Sequence, residues 1–205
     1  MLLILFSAPS FINGEKETLF SLFEEGLELF HLRKPKASKK QVAGFIESIP
    51  DKYHSRIVIH SHYSLTREFN LKGIHLTEKE REKLSERSNS ENNREHIVST
   101  SFHSLETLKK NRKKYEYVFL SPVFDSISKQ NYKAAFDLKE LKNELPGLKK
   151  RKNNSSEVIA LGGINAENIE KINQLGFDGA AILGVVWESK DPVQVFREIK
   201  IEMEK

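Results

Sequence analysis

Residues 158–165 read Val-Ile-Ala-Leu-Gly-Gly-Ile-Asn, and residues 179–184 read Gly-Ala-Ala-Ile-Leu-Gly. Each is a short apolar run that stops at glycine, with a helix-like pattern following it. Ala166–Leu175 and Pro192–Met203 are those helical patterns. Working outward, the same unit recurs along the chain. Further strand candidates are Leu2–Ser7, Leu27–Arg33, Arg56–His60, Gly73–Leu76, His96–Thr100 and Tyr117–Leu120. Glu15–Glu25, Ser38–Ile49, Ser104–Lys114 and Asp137–Leu145 carry apolar residues at helical spacing, with Ser38 placed as an N-cap. Glu78–Glu95, whose apolar content is Leu84 alone, reads as an exposed helix or a loop. Eight strands alternating with helices predict an α/β fold with a parallel sheet, closed as a (β/α)8 TIM barrel.

The chain has 205 residues, 38% of them apolar and 30% charged, and residues 1–205 read as one TIM-barrel domain. It contains no cysteine, which excludes a disulfide scaffold, a thiolate nucleophile and thiolate metal sites. A net charge of +4 is far from the dense basic surface of a nucleic-acid binder. The longest apolar opening, Leu2–Phe6, is a strand's length, so neither a membrane span nor a targeting segment is expected. A cytoplasmic protein with a small-molecule partner, no nucleic acid and no membrane is the expectation. Association into a homo-oligomer is left open.

Parallel barrels build their chemistry at the C-terminal strand ends. Five of the seven histidines fall there: His31, His60, His62, His75 and His103. Arg33, Lys34, Ser61, Ser101, Ser121, Ser126, Ser128 and Lys129 join them. Imidazoles, hydroxyls and cations together suit anion binding and proton transfer. Gly162 and Gly163 let backbone approach an anion at a helix start capped by Asn165, and Gly184 repeats the feature one strand later. The alternative is a tight turn and nothing more. Phosphate sites of barrels commonly follow the seventh and eighth strands. Alternation places Leu29, His31 and Arg33 on the interior face, where a buried guanidinium needs an anion, and His31 either reaches the ligand or simply fills the inner layer. Lys129 is either a phosphate clamp or a surface lysine. The basic run Lys149–Lys152 reads as a solvated loop or an anion patch.

Six segments, in order, resemble the family that joins thiamine phosphate synthase to the TenI-like thiazole tautomerases. They are Phe30-His31-Leu32-Arg33, Gly73-Ile74-His75-Leu76, Ser101 to Glu106, Tyr117 to Lys129, Ile159 to Ile164, and Gly176 to Gly184. The resemblance implies the same barrel. It also implies a thiazole phosphate held by Gly163, Leu183 and Gly184, with Ser126, Ser128 and Lys129 closing over the ligand.

Synthase members couple a pyrimidine methyl diphosphate to a thiazole phosphate and release diphosphate, which calls for Mg2+ and cations at the leaving group. Measured against that pattern, His31 stands where the family has glutamine, Pro35 where it has lysine, and His60-Ser61 where it has Asn-Asp. Glu80 would be the remaining magnesium ligand in this alternative. Tautomerase members move a proton and need no cofactor. The resemblance puts that acid/base role on His103, while Arg33 is left for the substrate carboxylate. The leading reading is therefore a thiazole tautomerase with no cofactor. Its substrate-binding set is His31, Arg33, Lys34, His60, Ser101, Ser126, Ser128 and Lys129, and its phosphate set is Gly162, Gly163, Leu183 and Gly184. A thiamine phosphate synthase using Mg2+ and a non-catalytic phosphate-binding protein are the alternatives. A zinc ion ringed by His31, His60, His75 and His103 is a further one.

Overall fold

Eight short strands close on themselves in sequence order, all parallel. They are β1 (Leu2–Phe6), β2 (Leu29–Leu32), β3 (Ile57–Ile59), β4 (Gly73–Leu76), β5 (Ile97–Phe102), β6 (Tyr117–Leu120), β7 (Glu157–Leu161) and β8 (Gly179–Ile182). The helices between them are α1 (Glu15–Glu24), α2 (Lys39–Glu47), α3 (Leu65–Glu68), α4 (Glu78–Glu86), α5 (Leu105–Lys110), α6 (Leu138–Lys149), α7 (Ile169–Leu175), α8 (Gly184–Trp187) and α9 (Pro192–Glu204). This is the (β/α)8 barrel expected from the rhythm of the sequence. The computed structural model describes residues 1–86, 96–125, 133–149 and 156–205. No helix among them is long and apolar enough to cross a membrane.

Side-chain alternation divides the apolar residues into two cores. Leu3, Leu5, Phe30, Leu32, Val118, Leu120, Val158 and Ala160 point outward and meet the helices through Leu19, Leu22, Phe45, Ile46, Ile172 and Ile199. The opposite parity points inward, where Ile4, Phe6, Leu29, Tyr117, Phe119, Ile159 and Ala181 form a smaller cluster. The same parity carries His31 on β2, His75 on β4 and Ser99 on β5 inward, all three buried.

Local signals set several boundaries. Ser38 caps α2 in a reciprocal capping box with Gln41. Asp191 caps α9, and Pro192 occupies its first turn. Two differences from expectation concern the short helices. α7 proper starts after Asn168, which makes no side-chain cap bond, while Asn165 caps the turn just before it, its Oδ1 accepting from the backbone N–H groups of Glu167 and Asn168. The single turns α3 and α8 are too short to show a helical period in sequence.

Gly73 is where β4 comes closest to its neighbour. A Cβ there would lie 2.1 Å from the Ile97 carbonyl oxygen, which is backbone and cannot swing away. Replacement Gly73→Ala is therefore expected to destabilise the protein by about 1–3 kcal/mol. Urea denaturation at matched pH checks this, and an unchanged midpoint would contradict the close approach.

Candidate active site

At the C-terminal end of the strands lies a cavity of about 320 Å3, within the size range of small-ligand sites. Phe6, Arg33, His60, His75, Ser101, His103 and Ser121 line one side. Gly162, Gly163, Ile164, Leu183, Gly184 and Val185 line the other. This brings together much of the set read from sequence. Gly163 sits at φ 65°, and a Cβ on it would lie 2.2 Å from the Asp125 carbonyl oxygen. Backbone comes this close to a neighbouring loop only when the side chain is a hydrogen.

His103 stands at the end of β5 with its ring exposed at the mouth. Its Nδ1 lies 3.0 Å from the Ser121 carbonyl oxygen. A carbonyl only accepts, so this bond places the proton on Nδ1 and leaves Nε2 as the accepting nitrogen. Ser101 lines the cavity beside it, with Oγ 3.1 Å from His75 Nε2.

At the cavity floor, and just beneath it at His31, the imidazoles are linked. His31 Nδ1 lies 2.9 Å from His60 Nε2, and His31 Nε2 lies 2.6 Å from the Tyr117 hydroxyl. His75 Nδ1 lies 2.9 Å from Ser99 Oγ. Burial pushes all three imidazoles below the usual histidine range, His75 to about 3. Neighbouring imidazoles add to this at His31 and His60, and the Arg33 charge adds at His60 and His75.

Several expectations need correction. His31 does not reach the cavity; it is fully buried below it, with both ring nitrogens engaged. Lys34, expected at the substrate, points away into the barrel wall. Its Nζ donates to both Glu15 carboxylate oxygens at 2.6 Å and to the Ala8 and Ser10 carbonyls at 2.8 Å. Both partners are 2% exposed. Burial pushes the Glu15 carboxyl up and the Lys34 ammonium down, and their mutual attraction opposes both shifts. Arg33, expected to be buried, is exposed at the mouth. Ser7 holds its backbone, with Oγ accepting from the Arg33 N–H and donating to the Arg33 carbonyl. His62 adopts φ 55° and sits beside the Ala37 carbonyl, outside the cavity lining. Ser126, Ser128 and Lys129 lie outside the described residues, as does most of the Lys149–Lys152 run.

Glu80 is turned away as well. Its Oε2 accepts from the Tyr63 hydroxyl at 2.8 Å and from the Thr77 N–H and hydroxyl at 2.9 and 2.7 Å, closing the start of α4. Glu78 does line the cavity, but it pairs with Arg81 at 3.0 Å. Magnesium takes oxygen ligands, usually with one or two carboxylates. Among the described lining residues the one carboxylate is Glu78, already paired with Arg81, and the other side-chain donors are mainly imidazoles and hydroxyls, a poor match for that ion. Phe6, Ser99 and Tyr117 were absent from the sequence-derived set. Their inward parity on β1, β5 and β6 was the available signal.

Comparison with known proteins now adds to this geometry. The family model described as thiamine monophosphate synthase, TMP-TENI, matches residues 4–186. The chain belongs to this family. A thiamine-phosphate synthase of Clostridium tetani is 25% identical over 196 residues, covering 90% of this chain and 86% of its own. A thiamine-phosphate synthase of Methanobrevibacter smithii is 24% identical, covering 88% and 86%. Among solved structures, a thiamine phosphate pyrophosphorylase of Bacteroides thetaiotaomicron is 33% identical, with TM-score 0.79, covering 100% of this chain and 98% of its own. A 3-hexulose-6-phosphate synthase, at 13% identity and TM-score 0.62, shares the fold alone.

The Lys34–Glu15 pair makes the role of this lysine testable. In Lys34→Met the Glu15 carboxyl loses its buried partner, and stability is expected to fall by about 3–5 kcal/mol. The double replacement Lys34→Met with Glu15→Gln is expected to recover most of that loss. Denaturation of the wild type, both single variants and the double variant measures the coupling. Additive losses would overturn the pairing.

Proposed function

We propose that this member of the thiamine monophosphate synthase/TenI family is a thiazole tautomerase. It takes a proton from one position of a thiazole carboxylate phosphate tautomer and returns it at another, leaving the ring aromatic with no atom gained or lost. The observation that carries the reading is the His103 ring. With its proton held on Nδ1 by the Ser121 carbonyl, the Nε2 lone pair belongs to a ring that lines the cavity. One histidine in that state serves as the base and then, once protonated, as the acid.

The remaining residues take roles that suit this substrate. The backbone at Gly162, Gly163, Leu183 and Gly184 receives the phosphate. Arg33, exposed at the mouth and without a carboxylate partner among the described residues, receives the carboxylate. Ser101 and His60 border the ring between them. The resemblance adds Ser126, Ser128 and Lys129 as the segment that closes over the ligand. Proton transfer itself calls for no cofactor.

A second reading, a thiamine phosphate synthase, is favoured by the names of the relatives in Clostridium tetani and Bacteroides thetaiotaomicron. The orientation of Glu80 speaks against it. Two assays on the purified protein separate the readings. Tautomerisation of the thiazole carboxylate phosphate is expected, falling by about 10^2- to 10^4-fold in His103→Ala. Wild-type activity in that variant would overturn the assignment. Magnesium-dependent diphosphate release from the pyrimidine diphosphate and thiazole phosphate would instead establish the synthase. Tight thiazole phosphate binding with neither turnover would mark a binding protein.

A further inference from the structure

The cavity floor holds a feature that proton transfer by His103 does not use. His31, His60 and His75 come from three adjacent strands, and one nitrogen of each lies within 4.8 Å of the others. We propose that these three imidazoles form a binding site for a divalent transition-metal ion of the zinc class, with a fourth coordination position open to the cavity. This inference stands independently of the tautomerase reading.

Geometry is the first argument. A Zn–N bond of about 2.0–2.1 Å in tetrahedral geometry sets ligand nitrogens about 3.3 Å apart. The cluster brackets that spacing, from 2.9 Å between His31 Nδ1 and His60 Nε2 up to the 4.8 Å bound. The rings of His60 and His75 lie 4.3 Å apart at an interplanar angle of 27°, so ion binding requires a tilt of these two rings together with a small opening of the first pair.

The hydrogen bonds on the far side of the rings are the second argument. Ligating histidines generally donate their other ring N–H to a fixed partner, which sets the tautomer and ring direction. With His31 bound through Nδ1, its Nε2–H donates to the Tyr117 hydroxyl at 2.6 Å. With His75 bound through Nε2, its Nδ1–H donates to Ser99 Oγ at 2.9 Å. Tyr117 and Ser99 are themselves buried, so each holds its imidazole from a fixed position in the barrel interior.

Donor type is the third. Imidazole suits zinc and its neighbours in the first transition row, and the absence of a carboxylate from the cluster disfavours magnesium and calcium. His60 and His75 line the cavity while His31 lies beneath it, so the open position faces the ligand space. Three neutral ligands leave the ion its full charge, and Arg33 lines the same cavity. An anionic oxygen is therefore the natural fourth ligand.

The test uses the full chain without an affinity tag, stripped with chelator and titrated with Co2+. The expected result is saturation at one ion per chain, with the intense visible band of four-coordinate cobalt, discharged by added Zn2+. His60→Ala, at the cavity edge, is expected to weaken binding by about 100-fold or more, and Tyr117→Phe by about 10- to 100-fold. Absence of a stoichiometric band in the wild type overturns the site regardless of how any variant folds. So does undiminished affinity in folded His60→Ala.

Discussion

Closure of β8 onto β1 is the constraint on which the rest of the molecule depends. The register pairs Leu2 with Gly179 and Leu5 with Ile182, which joins the last strand to the first without an edge. Once the sheet is closed, every strand has one parity facing the helices and one facing the axis. Apolar burial is then divided between the two faces, and the inner face need not be wholly apolar. Phe6, Phe119 and Ile159 occupy it beside His31, His75 and Ser99. The polar members are tolerated because they satisfy one another, through Tyr117, Ser99, Ser101 and His60.

Charge at the mouth is arranged by the same closure. Arg33 and Lys34 are sequence neighbours at the end of β2, yet their surroundings are opposite. Arg33 follows the inner parity and emerges at the cavity, where water and ligand reach its guanidinium. Lys34 takes the other parity and is buried, where a cation is tolerable only with a partner, and Glu15 at the start of α1 is that partner. A cation held by a bidentate carboxylate and two carbonyls is structural. Among the described residues, the cavity lining therefore carries Arg33, three imidazoles, the Glu78 carboxylate and glycine backbone.

Much of this was legible beforehand. The strand rhythm announces a barrel because each unit repeats a buried apolar run, a turn and an amphipathic helix. Gly162, Gly163, Leu183 and Gly184 line the cavity, and the habit of barrels to place anion sites after their last strands was what singled them out. His60, Ser101 and His103 were visible as polar residues at strand ends. Lys34 and Glu80 were misread, and the choice for His31 between the ligand and the inner layer stayed open, for a shared reason. Each lies at a strand end or loop where position along the chain is right, but its partner comes from another segment: Glu15, Tyr117 or Tyr63. Such partners are invisible to local pattern.

What the amino-acid sequence determines by itself is the order of strands and helices, their inner and outer parity, and membership of the thiamine monophosphate synthase/TenI family. These follow from hydrophobic periodicity and from motifs that are contiguous in the chain. The tertiary structure decides which polar groups are already engaged and which face the cavity. That division depends on barrel closure, which brings segments from β2 to β6 within hydrogen-bonding distance. It ties Lys34 to Glu15 and Glu80 to Tyr63, holds the His103 proton on Nδ1, and gathers three imidazoles at the cavity floor.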